Sequence, residues 1–179
     1  YALIGGFVSL LSFTLQGAIF LTLRTTDFIY EGARRIVNAL WIPVALLAVI
    51  LVVFTNYETD LFAAAGARAA IPLIGAPIAI IAAGYLFRLR REGWAFTVNS
   101  LAILLFVAAL FLGLYPRVMV SSLDPAWSLT VANTASGATT LRTMSIIALI
   151  FVPIVLAYQG WSYWIFRKRI VEKKEALHY

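Results

Sequence analysis

Atoms that hold iron, cleave esters or carry protons by ionising are scarce in this chain, and their positions bound what it can do. The only histidine, His178, lies one residue from the end, beyond a charged stretch, where it reads as a solvated tail residue. Haem iron takes axial His, Met, Cys or Tyr. Met119 and Met144 stand apart from any histidine and read as packing residues. Cysteine is absent, which removes disulfides, thiolate sites and thiol chemistry and leaves the redox compartment open. No His, Cys and carboxylate cluster has the makings of a zinc or di-iron site, and no Ser–His–Asp or Cys–His set can be assembled. The chain is therefore expected to contribute no catalytic, cofactor-binding or metal-ligating residue of its own.

What the apolar stretches do contain is neutral: Gln16, Asn99, Ser100, Gln159 and Ser162. Proton relays and ion-coupled transport usually leave Asp, Glu, His or Lys inside a membrane. Amides and hydroxyls there more often bond between helices, at roughly 0.6 kcal/mol each. Gln16 and Gln159 are the two that could instead line a quinone, lipid or proton passage. Tyr158, Trp161 and Trp164, at i, i+3 and i+6, fall on roughly one helical face, which favours a helix or subunit contact over lipid alone. Tyr163 completes an aromatic cluster that also suits an interfacial belt. Gly5, Gly6, Gly17, Gly75, Gly84 and Gly160 are expected to permit close helix contacts.

The elements that must position these residues follow from composition. Of 179 residues, 63% are hydrophobic and 12% charged, with a mean hydropathy of +0.93. A soluble domain is nearer half apolar and about a quarter charged, so too little polar surface exists to coat a water-soluble globule. A bilayer core of about 30 Å needs about 20 apolar residues as a helix. Five stretches satisfy this: Ala2–Leu23, Ile36–Phe54, Ile71–Phe87, Trp94–Tyr115 and Leu141–Phe166. Pro43, Pro72, Pro77 and Pro153 fall in or beside them, where membrane helices tolerate proline. The fold class is all-α, a polytopic membrane helical bundle of five transmembrane helices.

Charge orients the bundle. Eleven of the 14 basic residues sit in segment 24–35, in segment 88–93 and after 166; only Arg68, Arg117 and Arg142 lie in the alternate connections. Five spans put those eleven on one side, as the positive-inside rule requires. The whole net charge of +6 then lies on that face, because the other face carries three bases and three acids. The N-terminus is expected outside and the C-terminus cytoplasmic. The stretch VLAYQGWSYWIFRKRIVEKK at 155–174 reads accordingly as a membrane exit, aromatic belt and then positive charge, rather than as a nucleic-acid surface. The outer connection 116–140 is long for a compact bundle. With Trp127 and Leu129 as apolar anchors, it suits a chain folded onto the membrane surface or a partner, and Asp124 before Pro125 reads as a turn residue. No signal peptide is visible, and the start at Tyr1, within an apolar run and without Met, is expected to follow a missing upstream part. From the residues alone this is a non-catalytic membrane scaffold that needs a partner.

Three blocks carry a family resemblance: YALIGGFVSLLSFTLQGAIFLTLRT at 1–25; WAF at 94–96, followed by an apolar helix ending in Tyr115–Pro116; and SSLDPAWSLTVANTASGATTLRTMSIIALIFVPIVLAYQGWSYWIFRKR, from Ser121 to Arg169. In these the chain resembles the C-terminal half of subunit II of cytochrome bd-type quinol oxidases. The resemblance implies a complex of the bacterial cell membrane that oxidises quinol, reduces oxygen to water and builds a proton gradient. It implies b- and d-type haems held by subunit I, with no cofactor bound by this chain. The implied partners are the haem-bearing subunit I, the N-terminal half of subunit II, a small accessory subunit, quinol and lipid, and no nucleic acid. Some members hold a quinone in subunit II, but no motif here assigns one. The implied division is a four-helix bundle with its outer loop (1–140), a last peripheral interface helix (141–166) and a basic cytoplasmic tail (167–179). An alternative is half of a repeat-built transporter with broken helices near IPLIGAPIAIIAAG at 71–84.

Overall fold

The computed structural model describes residues 1–121 and 123–165, so the basic tail 167–179 with its His178 lies outside the described residues. Two compact units divide the chain after Tyr115. The first comprises α1 (Ala2–Arg24), α2 (Asp27–Glu58), the short α3 (Leu61–Ala65), α4 (Ala67–Arg88) and α5 (Glu92–Leu114). Its four long helices close into a ring, in which α1 and α4 each touch both α2 and α5. The tight turns at Thr25–Thr26 and Leu89–Arg91 reverse the chain, so sequence neighbours pack antiparallel.

The packing is that of a bundle in lipid. Buried contact positions are held largely by small residues such as Ala18, Ala48, Ala79, Ala95 and Ala102, while large apolar side chains point outward, Leu3 at 79% and Phe28 at 85% exposure. Lipid tails are as apolar as leucine, so close packing rather than expulsion from water draws such helices together. Two glycines make the closest approaches possible. A Cβ at Gly84 would lie 2.3 Å from Cε3 of Trp41, and one at Gly113 would lie 2.4 Å from Cγ of Leu61.

Five helices are long and apolar enough to cross a membrane: α1, α2, α4, α5 and Ala138–Ile165 of the second unit. The chain is a polytopic helical membrane protein. Their limits differ from the sequence expectation mainly in α2, which covers 32 residues instead of starting at Ile36. At 1.5 Å per residue it is roughly 48 Å long, well beyond a hydrocarbon core of about 30 Å. Its first turns, with Glu31, Arg34 and Arg35, fill the segment read as a basic connection. α4 is likewise continuous from Ala67 to Arg88, with Pro72 and Pro77 inside it. The broken helix that the transporter alternative needs at 71–84 is not formed.

The α4–α5 turn ends α4 with a Schellman motif: the Arg91 N–H bonds to the Leu86 carbonyl (3.0 Å) and the Arg90 N–H to the Phe87 carbonyl (3.1 Å). The left-handed residue of that motif is usually glycine. Here it is Arg90, at φ 62°.

The second unit, described by itself, begins with an antiparallel pair, β1 (Arg117–Met119) and β2 (Leu129–Thr130), with an irregular register between Arg117 and Met119. A 3₁₀ turn, Pro125–Trp127, separates them. Asp124 Oδ1 accepts from the Ala126 N–H at 2.8 Å, so this residue does turn the chain. Then follow α6 (Val131–Thr134), closed by a capping box of Thr130 and Asn133, and α7 (Ala138–Ile165), which buries none of its residues.

Candidate functional site

Two polar constellations stand out in the first unit. Within the membrane-length part of the bundle, Gln16 of α1 reaches α5. Its Nε2 donates to Ser100 Oγ at 2.6 Å, and its Oε1 accepts from Asn99 Nδ2 at 2.6 Å. Asn99 is only 1% exposed, and without such a partner its amide would carry a desolvation cost of about 1–3 kcal/mol. Ser100 also returns its hydroxyl to the Phe96 carbonyl at 2.9 Å. Asn99, with Ser9 and Ser12, lines an otherwise apolar cavity of about 130 Å³ between the helices. Amides and hydroxyls of this kind bond and orient. None of them passes a proton by ionising near neutral pH.

The second constellation lies at the basic end. The Tyr30 hydroxyl donates to Glu92 Oε1 at 2.6 Å and accepts from Arg34 Nη1 at 3.2 Å; Arg34 Nη1 also lies 3.5 Å from Glu92 Oε1. Arg90 Nη1 reaches the same hydroxyl at 3.4 Å. Glu92 is 8% exposed, and the Arg34 guanidinium also covers the Phe87 ring at 5.4 Å from its centroid. The cluster ties α2 to the α4–α5 turn across more than 50 residues of sequence. Sequence reading counted Glu92 and Tyr30 only as parts of connections. A lone acid among three arginines at the first turn of a helix, where the dipole favours negative charge, was the available signal. At the far end of the bundle the hydroxyls of Tyr1 and Thr55 bond at 3.1 Å.

The remaining sequence candidates lie on α7. Tyr158 and Trp161 approach with ring centroids 6.5 Å apart, tilted by 59°. Tyr158, Trp161 and Trp164 are 61, 58 and 61% exposed, and Gln159 is exposed beside them. Gln16 and Gln159 therefore differ: one is engaged between helices, the other lies on an open surface. Among the described residues no group of three His, Cys, Asp or Glu could hold a metal ion. Met119 and Met144 are both exposed.

Fold and site together define a multi-pass helical membrane protein whose midplane polar groups are neutral and whose ionised groups gather at the helix ends. The comparisons sharpen this. The family model for cytochrome bd terminal oxidase subunit II matches residues 1–166, and the chain belongs to that family. It is 38% identical over 176 residues to the cytochrome bd ubiquinol oxidase subunit 2 of Bacillus subtilis (strain 168), covering 97% of this chain and 52% of that protein. The cytochrome bd-I ubiquinol oxidase subunit 2 of Escherichia coli (strain K12) is 32% identical over 104 residues, 58% of this chain and 27% of that one. A probable cytochrome oxidase subunit 2 of Haemophilus influenzae is 27% identical, covering 91% of this chain and 50% of that protein. The chain thus spans about half the length of the B. subtilis relative it matches.

Proposed function

We propose that this chain is a structural, non-haem part of a membrane quinol:oxygen oxidoreductase of the cytochrome bd type. In this reading the complex oxidises quinol, reduces oxygen to water and builds a proton gradient, with b- and d-type haems and the quinol chemistry in subunit I. The observation that carries the reading is the 38% identity to a ubiquinol oxidase subunit 2 across nearly the whole chain. The neutral midplane supports it, because a bundle joined by Gln16, Asn99 and Ser100 is built to hold its helices together. The complex would sit in the bacterial cytoplasmic membrane, with the Tyr30–Glu92 end on the cytoplasmic side, as the concentration of arginine there favours. The exposed aromatic face of α7, Tyr158, Trp161 and Trp164, would be the seat for subunit I.

The reading is tested by affinity purification through a tag on this protein, solubilised from its native membrane. A haem-bearing membrane chain should copurify in equimolar amount, and quinol-dependent oxygen uptake should follow the tagged fraction. Solute flux in vesicles lacking quinol and haem, with no haem protein recovered, would favour the transporter alternative instead.

A further inference from the structure

A groove on the outside of the first unit has the form of a lipid site. It is lined by Trp41, Ile42, Ala45, Leu46, Val49 and Ile50 of α2 with Ile81 of α4, and has a volume of about 570 Å³. Apart from the indole it is walled by hydrocarbon. From Trp41 to Ile50 it follows α2 for roughly 14 Å, close to the half-thickness of a bilayer core of about 30 Å. That is the run of one acyl chain in one leaflet, and too short for a membrane-crossing partner helix.

The head of the groove is charged. The Arg88 guanidinium lies over the Trp41 ring, 4.8 Å from its centroid. Arg35, exposed, stands two turns before Ile42 on the same face of α2, with Asn38 between them. Glu31 and Asp27 lie one and two turns further out on that face, so the charged side chains nearest the groove are the two arginines. Stacking on Trp41 holds the Arg88 guanidinium beside a residue that lines the groove.

We infer that the α2–α4 groove binds an anionic diacyl phospholipid of the leaflet at the basic end, its phosphate between Arg88 and Arg35 and an acyl chain along Ile42–Ile50. Basic pockets between membrane helices bind acidic headgroups in this manner, and the hydrocarbon slot below makes the ligand a lipid rather than a free anion.

The test uses the whole oxidase complex in nanodiscs of phosphatidylcholine doped with a trace of phosphatidylglycerol or phosphatidylcholine carrying a diazirine on one acyl chain. After photolysis, peptides covering Ile42–Ile50 should carry the phosphatidylglycerol adduct at least five-fold more often than the phosphatidylcholine one. Each arginine near a membrane surface is worth roughly a five-fold change in binding. Arg35→Gln with Arg88→Gln should therefore bring the two probes to parity, while labelling of other lipid-facing helices stays as before. Equal labelling by both probes in the unaltered complex would overturn the inference, whether or not the variant assembles. So would an absence of adducts at these residues, the result expected if a protein chain or a quinone covers the groove. Undiminished phosphatidylglycerol preference in the double variant would overturn it as well.

Discussion

Substituting Gly84 tests the account of how the bundle is held together. Trp41 packs against α4 at Gly84, where the chain has no side chain. A Cβ there would meet Cε3 at 2.3 Å, Cδ2 at 2.5 Å and Cζ3 at 3.0 Å. Carbon atoms rest at about 3.5–4.0 Å, so the ring and α4 must part by about an ångström. The obstacle is the body of a rigid indole, which cannot swing its contact atoms aside as a lysine tip can. Gly84→Ala should cost about 2–3 kcal/mol, the upper part of the range for overpacking. Each kcal/mol is worth about 2–4 °C of melting temperature in a chain of this size. The assay is the thermal melt of the detergent-solubilised complex, with Gly5→Ala and Gly17→Ala as controls, since neither meets an atom within 4 Å. The controls should match the parent or exceed it by up to about 1 kcal/mol, the helix-propensity gain of alanine over glycine. Trp41→Leu combined with Gly84→Ala should recover about 1–2 kcal/mol as a coupling energy. If Gly84→Ala melts with the controls, or Trp41→Leu gives no relief, the close α2–α4 approach is wrong.

Gln16→Leu removes two interhelical hydrogen bonds and leaves the buried Asn99 amide unpartnered, and should cost about 1–3 kcal/mol of thermal stability; a collapse of quinol turnover in a complex that still folds would mean that Gln16 does more than join helices. Glu92→Gln keeps an acceptor for Tyr30 but strips Arg34 of its counter-charge, and should cost about 1.5–3 kcal/mol by the same melt, with Arg34→Gln adding little on top of it. Arg90→Gly should stabilise by about 1 kcal/mol, because glycine removes the left-handed penalty at the expense of one long hydrogen bond to Tyr30. Trp161→Ala should lower recovery of the haem-bearing chain in a tag pull-down at least ten-fold if α7 seats subunit I, and recovery equal to the parent would remove α7 from that role.

Much of the architecture was legible because the bilayer imposes a length and penalises charge. The five spans follow from runs of about 20 apolar residues, and the basic ends of α1 and α4 from arginines placed just beyond them. The overshoot of α2 was hidden for the same reason. Hydropathy falls at Arg34 and Arg35, yet the helix continues because the chain is still a good helix former outside the lipid. Gln16 was marked by being polar in an apolar run, but its partners, more than 80 residues away, depend on which helices adjoin, which no local pattern carries. Glu92 and Tyr30 escaped notice because each is ordinary at a membrane surface, and only the tight α4–α5 turn, with Arg90 in a conformation usually left to glycine, brings them together. The groove along Trp41–Ile50 was out of reach, since it depends on how α2 and α4 pair, which no local pattern carries.

The most direct test of the central claim is an optical one. A complex purified through this chain should show reduced-minus-oxidised bands of b- and d-type haem, and these should vanish from the tagged fraction when the larger subunit is dissociated. Haem bands that persist in the separated chain, or a purified complex without any, would contradict the assignment of this protein as the haem-free partner in a bd-type oxidase.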